Sequence, residues 1–311
     1  MIDAHAHQVP PDLAGRIAAD GERLGVRLRP DGRLEFASGE VSRPLFPGLY
    51  APEPPRGCDV QIVSPWVDLL GYGLDPERGA AWARLLNTAL EGRPALATVP
   101  LQDGRAAAAE LERALGRGCL GAEIGTNVRG RELSDPDLAP FWAVCAAARA
   151  PVFLHPAYTI PSPRFGAHYL HNLVANPLDT TLAAAHLVLG GVLDRHPDLV
   201  LILAHGGGYL PYQFGRLDRG HAVRGECRGP ARAPRAYLRA FHYDTVVHSP
   251  EALRYLVDLV GADRVLLGTD APFDMGDPDP LATLDRAGVS PADRQAIAHD
   301  TAARVFRIGV R

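Results

Sequence analysis

Short apolar runs recur along the chain, and most are followed by a stretch in which apolar positions return every three or four residues. The runs are Met1–His5, Asp59–Ser64, Ala95–Leu101, Leu120–Gly125, Pro151–His155, Leu199–Ala204, Phe241–Val247 and Arg264–Gly268. They are too continuously apolar for a sheet with one wet face, so each predicts a strand buried on both sides. Strands alternating with helices imply a parallel sheet. Eight such units predict an α/β fold closed into a (β/α)₈ TIM barrel rather than an open doubly wound sheet. No Gly-rich GxGxxG fingerprint follows the first run, which argues against dinucleotide binding.

The intervening helices stand on their own signals. Asp179–His196 carries Leu182, Ala185, Leu189 and Leu193 at three- and four-residue spacing, giving one stripe to face the sheet. Pro250 opens a helix over Glu251–Val260, where a missing N–H costs nothing, and Gly261 stops it. The first connection departs from the pattern. Between His7 and Asp59 no clean helix is predicted, only a Pro-rich stretch and a hairpin over Val26–Phe36 turning at Asp31-Gly32. The expectation is one domain over 1–311, with a small insertion at about 8–57 covering the mouth of the barrel. Arg43–Gly57 would link it to the second strand.

Composition narrows the partners. Apolar residues make up 47% and charged residues 22%, as in an ordinary globular domain. The net charge is −4 and the arginines are scattered without a run that could track a phosphate backbone, so nucleic acid is not an expected partner. The most apolar segment, Thr181–Leu193, is too short to span a bilayer, and no signal peptide is visible. Cys58, Cys119, Cys145 and Cys227 form no CxxC pair and read as reduced thiols. A cytoplasmic, soluble protein is expected.

Barrel enzymes carry their chemistry at the C-terminal ends of the strands. His5 and His7 close the first strand as His-Ala-His and, two apart on an extended chain, point the same way. His155 closes the fifth strand, His205 the sixth within Ala-His-Gly-Gly-Gly, and Asp270 the eighth within Gly-Thr-Asp-Ala-Pro. Imidazoles plus a carboxylate are the donor set for one divalent ion, zinc or a similar first-row ion. Any one of these histidines alone would read as a hydrogen-bonded rim residue; their convergence makes His5, His7, His155 and Asp270 the expected ligands. His205 could be a fifth, but that set plus solvent is complete, so its expected role is acid/base catalysis.

Arg43 and Arg216 could hold an anionic substrate through a bidentate guanidinium, although each could equally be a solvated or ion-paired arginine. Tyr158, His168, His171 and His248 lie in loops that could line the pocket. His242 begins the seventh strand, away from the catalytic end, and Asp244 within that strand is placed to brace a ligand from behind.

These residues carry a resemblance. Ile-Asp-Ala-His-Ala-His at the start, Val-Pro-Leu-Gln-Asp (99–103), Phe-Leu-His-Pro (153–156), Ala-Asn-Pro-Leu-Asp-Thr-Thr (175–181), Gly-Gly-Val-Leu (190–193), Ala-His-Gly-Gly-Gly-Tyr-Leu-Pro-Tyr (204–212), Gly-Arg-Leu-Asp (215–218) and Leu-Gly-Thr-Asp-Ala-Pro-Phe (267–273) fall in one order. The set resembles the amidohydrolase superfamily, in the branch of aminocarboxymuconate semialdehyde decarboxylase. The resemblance implies a zinc (in some relatives manganese) site on His5, His7, His155 and Asp270, with His205 as the acid/base residue. It implies that Arg43 meets the substrate carboxylate and that Arg216 reaches across a homodimer interface.

The chain also departs from that branch. Pro52-Glu53-Pro54-Pro55-Arg56-Gly57 stands where relatives carry a helix with a Met-Asp pair, and Asp300-Thr301-Ala302 replaces a Gly-Asn-Ala. The loop 157–172 lacks tryptophan and offers Tyr158, Arg164, His168 and His171, which points to a different substrate. The expected activity is loss of CO₂ from an unsaturated or aromatic acid with an oxygen or nitrogen beside the carboxylate, His205 and Asp270 relaying the proton. Hydrolysis of a lactone or amide, or hydration of a double bond, would use the same centre. A barrel that keeps its metal only as structure would have no use for His205.

Overall fold

A computed structural model describes residues 1–309. Eight parallel strands form its frame: β1 (Ile2–Gln8), β2 (Val60–Pro65), β3 (Leu96–Ala97), β4 (Gly121–Gly125), β5 (Pro151–His155), β6 (Val200–Leu203), β7 (Phe241–Asp244) and β8 (Val265–Leu266). Each falls within or beside one of the expected runs. β3 and β8 keep only two residues each, and Pro100, which has no N–H to give a ladder, follows closely on β3.

The strands β3 to β8 pair in chain order into a six-stranded parallel sheet, and β1 pairs with β2. Parallel bridges at Ala6↔Ala271 and Val63↔Ala95 lace the pair to both edges of the larger sheet. The Ala4 amide donates to the Leu267 carbonyl at 2.9 Å, and Val63 to Pro94 at 3.0 Å. Register sets the site: Gly125 lies opposite His155, His7 opposite Ser64, and Asp244 opposite Leu266.

The apolar residues divide between two faces. Ile2, Ala4, Ile62, Phe153, Ile202 and Leu266 form one buried cluster, against which Val305 and Phe306 of the last helix (Thr301–Phe306) pack. A larger cluster lies between the strands and the helices around them, including Trp82, Leu111, Phe141, Leu187, Phe214 and Leu253. No described helix is long and apolar enough to cross a membrane.

Two helices differ from expectation. The first connection holds a helix, Leu13–Leu24, which buries Leu13, Ile17, Gly21 and Leu24 on one stripe and ends at Gly25 in the left-handed conformation. Its two internal glycines depress helix propensity, and Asp12 makes no capping bond, so the local signals were weak. The expected helix over Asp179–His196 runs instead over Asn176–Leu189 and Val192–Arg195, broken at Gly190-Gly191. The Val26–Leu28 and Leu34–Phe36 hairpin forms as read. The helix after β7, Pro250–Val260, starts on a Ser249 cap that accepts from the Ala252 amide.

The helix Leu13–Leu24 supplies a stability test. A Cβ on Gly21 would lie 2.4 Å from the Val26 carbonyl oxygen, whereas one on Gly15 would meet nothing within 4 Å. Gly21→Ala is expected to destabilise by about 1–3 kcal/mol through overpacking. Gly15→Ala is expected to stabilise by about 0.5–1 kcal/mol. Urea midpoints should therefore move in opposite directions; movement in the same direction contradicts the packing described.

Candidate metal centre

His5 and His7 leave β1 on the same side, with ring centroids 5.1 Å apart, and both are buried. His155 ends β5 and Asp270 follows β8, and one donor atom from each of the four lies within 4.8 Å of the others. His5 Nε2 stands 3.3 Å and His7 Nε2 3.1 Å from Asp270 Oδ1. His155 Nε2 and Asp270 Oδ1 are buried and make no hydrogen bond. Buried polar atoms are ordinarily satisfied, so two bare donors aimed at one point, beside two more imidazole nitrogens, fit a cation between them.

The electrostatics fit a cation as well. Burial drives the His5 imidazole pKa down, but Asp270 and Asp244 outweigh it and hold it well above its ordinary value. His155 is driven well below the usual range by burial and by the neighbouring His7, His205 and His5. Burial raises the Asp270 carboxyl, yet His5, His205 and His7 together hold it well below the usual carboxylate range. His155 thus presents a lone pair and Asp270 a negative charge to this small volume, and the carboxylates around His5 favour added positive charge there.

Asp244 holds this arrangement from behind. Its Oδ2 lies 2.7 Å from His5 Nδ1, so His5 donates there and turns Nε2 toward the other donors. The same carboxylate accepts from the backbone amides of His205 at 3.0 Å, Gly206 at 2.8 Å and Val246 at 3.1 Å. His205 itself has φ 55° and directs Nε2 to within 3.4 Å of Asp270 Oδ2. The glycines at 206, 207 and 208 all have positive φ, and a Cβ on Gly208 would sit 2.0 Å from the Pro177 carbonyl oxygen. Only glycine fits there.

The centre opens into a cavity of about 420 Å³ whose wall includes His155, His205, Asp270, Arg43, Trp66 and Phe273. Tyr158 and His171 also line it, Tyr158 stacked on Tyr72 and His171 bonded to Thr159 Oγ1 at 2.9 Å. Arg43 stands over the Trp66 ring at 4.8 Å, with its guanidinium and its amide both on Asp68. Other expected residues lie elsewhere. His248 is exposed, in a left-handed turn that feeds the chain into the helix Pro250–Val260, and it does not reach the cavity wall. Arg216 is exposed on the helix Leu210–Val223, also away from this chain's own cavity. His168 and Arg164 are exposed and outside the wall as well.

Sequence reasoning passed over three supports. Asp3 bonds the Thr269 hydroxyl at 2.7 Å and the His5 amide at 3.2 Å, tying β1 to the segment that carries Asp270. Glu123 accepts from Ser64 Oγ at 2.5 Å, and both stand behind His7 Nδ1, at 3.9 Å and 3.4 Å. Lone polar residues inside otherwise apolar strand runs were the available signal for all three. Asp68 had none.

The family model described as amidohydrolase matches residues 2–308. The 2-amino-3-carboxymuconate-6-semialdehyde decarboxylase of Dictyostelium discoideum is 35% identical over 230 residues, covering 70% of this chain. The chain matches 64% of that relative's length, less than two thirds. Gamma-resorcylate decarboxylase of Rhizobium sp. (strain MTP-10005) is 32% identical over 231 residues, covering 69% of this chain and 70% of its own. Among solved structures, 2,6-dihydroxybenzoate decarboxylase from Rhizobium matches with a TM-score of 0.71 at 28% identity, covering 81% of this chain and 85% of its own.

Asp244→Asn removes the charge behind His5 while keeping the volume. It is expected to weaken metal affinity roughly 10–100-fold in competition with a chelator, with the fold retained by circular dichroism. Unchanged affinity in a folded variant contradicts the role given to Asp244.

Proposed function

The chain belongs to the amidohydrolase family, and from that membership we propose that it is a metal-dependent, non-oxidative decarboxylase. Its substrate is an aromatic or unsaturated carboxylic acid with a hydroxyl or amino group beside the carboxylate, the chemistry named for its relatives. One observation carries the reading: four buried donors meet at one point, and His205 stands beside Asp270 without belonging to the four. A set of ligands alone would serve structure; a fourth imidazole outside that set and facing the cavity serves proton transfer.

His5, His7, His155 and Asp270 would hold the ion, zinc or manganese. When bound, the ion supplies a Lewis acid and a template for the carboxylate and its neighbouring heteroatom. His205, held against Asp270, delivers a proton to the carbon that bears the carboxylate. That carbon becomes tetrahedral, the C–C bond breaks, its electron pair restores conjugation, and CO₂ leaves. Arg43 orients the acid, and the Phe273 ring in the cavity wall packs against the planar substrate.

The proposal extends to architecture and assembly. The eight strands close as a (β/α)₈ barrel, supported by the two bridges that join the sheets. Residues 8–57 act as its cover, supported by Phe36, Glu40, Val41 and Ser42 in the cavity wall. Arg216, exposed near the 80%-exposed Tyr212, serves a partner's cavity across a two-fold dimer. The four unpaired thiols suit a cytoplasmic setting.

The test uses purified, metal-loaded protein and a panel of 2-hydroxybenzoates, with CO₂ release as the readout. His205→Ala is expected to keep the metal and lose about 10²–10⁴ in rate. Mixed with Arg216→Ala, it should regain part of the rate through the one intact site of a mixed dimer. Loss of the metal in His205→Ala would make His205 a ligand, and no recovery on mixing would remove the shared site.

A further inference from the structure

The N-terminal ends of β5, β6, β7 and β8 surround a second cavity, of about 500 Å³. β5 separates it from the metal centre: Arg149 lies two residues before the strand and His155 at its other end, so the strand alone holds the two sites about 13 Å apart at a rise near 3.3 Å per residue. Six arginines line it: Arg149, Arg232, Arg239, Arg264, Arg304 and Arg307. Among the described residues, Asp198 is the one carboxylate in the wall, 3.7 Å from Arg149. Asp263, just outside, is shared by Arg239 at 2.8 Å and Arg264 at 3.5 Å. Arg304 and Arg307 reach only the carbonyls of Asp263 and Ala148, and Arg232 lies over the Tyr237 ring. Positive charge thus gathers in one concavity of a chain whose net charge is −4.

A buried donor points the same way. His242 is 4% exposed and lines this cavity. Its Nε2 lies 3.4 Å from Arg264 Nη1, which can only donate, so the ring carries its proton on Nδ1. That Nδ1 and Arg264 Nε are both buried without an acceptor in good hydrogen-bond geometry, the Leu201 carbonyl and Asp263 standing only nearby. Burial, then Arg264 and Arg304, pull the imidazole pKa down to about 4 against the weaker opposing pull of the Leu201 carbonyl and Asp263. The wall therefore offers donors without acceptors and cations without enough anions.

We propose that this cavity binds a small, multiply charged phosphorylated metabolite at a site separate from the metal centre. Water could satisfy single N–H groups but would leave the charge unbalanced. A phosphate oxyanion does both, and guanidinium groups match its oxygens two at a time. The volume is in the range of small-ligand sites. The inference stands on this cavity alone and does not depend on the reaction at the other end.

Isothermal titration of the full-length, metal-loaded protein with fructose 1,6-bisphosphate at constant ionic strength tests it. The expected result is one saturable site per chain, with affinity lowered at least tenfold in the double variant Arg304→Gln/Arg307→Gln and unchanged in His171→Ala at the far cavity. Both arginines are exposed, and thermal unfolding checks that the variant is folded; Arg149→Gln/Arg232→Gln gives a second, independent pair. Binding that survives in both folded double variants, or heat no greater than sodium chloride produces at matched ionic strength, overturns the proposal. Equal affinity for citrate overturns the phosphate assignment.

Discussion

A single buried carboxylate organises the centre. Asp244 accepts four hydrogen bonds, one from the His5 ring and three from the backbone amides of His205, Gly206 and Val246. A charge so deeply buried is tolerable only when its oxygens are satisfied, and here they are. Burial raises its pKa, but His5 and these bonds outweigh that and keep it below the ordinary value. The consequence is geometric. The bond to His5 fixes which ring nitrogen faces the cavity, while the bonds to the following turn fix where His205 stands. A candidate ligand and the candidate acid/base residue thus share one anchor, and neither can shift without disturbing the other.

The donors crowd together around that anchor. Three imidazoles face one another at centroid distances of 4.8–5.2 Å with one carboxylate among them, an arrangement that makes chemical sense around a cation. Two key residues, His205 and Asp270, hold left-handed backbone conformations that bulky residues rarely adopt. Their neighbours over-determine them: Asp244 clasps the turn at His205, and Asp3 clasps Thr269 beside Asp270. Arg43 shows the same economy at the cavity rim, where Asp68 fixes a guanidinium that aromatic faces also hold.

Much of this was legible in the sequence, and the reasons are physical. Strands buried on both faces must be apolar throughout, so their positions stood out, and the polar residues that end them marked the site: His5, His7, His155, His205 and Asp270. Asp244 could be read as a brace because it interrupts such a strand. The supports Asp3, Ser64 and Glu123 carried the same weak signal, but nothing in one strand tells which partner strand lies opposite. The helix Leu13–Leu24 was missed because its stability comes from tertiary packing rather than propensity. The break at Gly190-Gly191 and the exposed turn at His248 depend on local backbone geometry that spacing does not encode. Arg216 is a different case, since a single chain cannot display what a partner would complete.

In the proposed reaction the donor set, His205 and the cavity act together, and the carbon that loses CO₂ is first protonated. The mass of the product formed in D₂O from a 2-hydroxybenzoate that the metal-loaded protein consumes tests this most directly. The account predicts a product lacking the carboxyl group and carrying one deuterium at the carbon it left. A product that keeps its carboxylate and gains the mass of one water would contradict it.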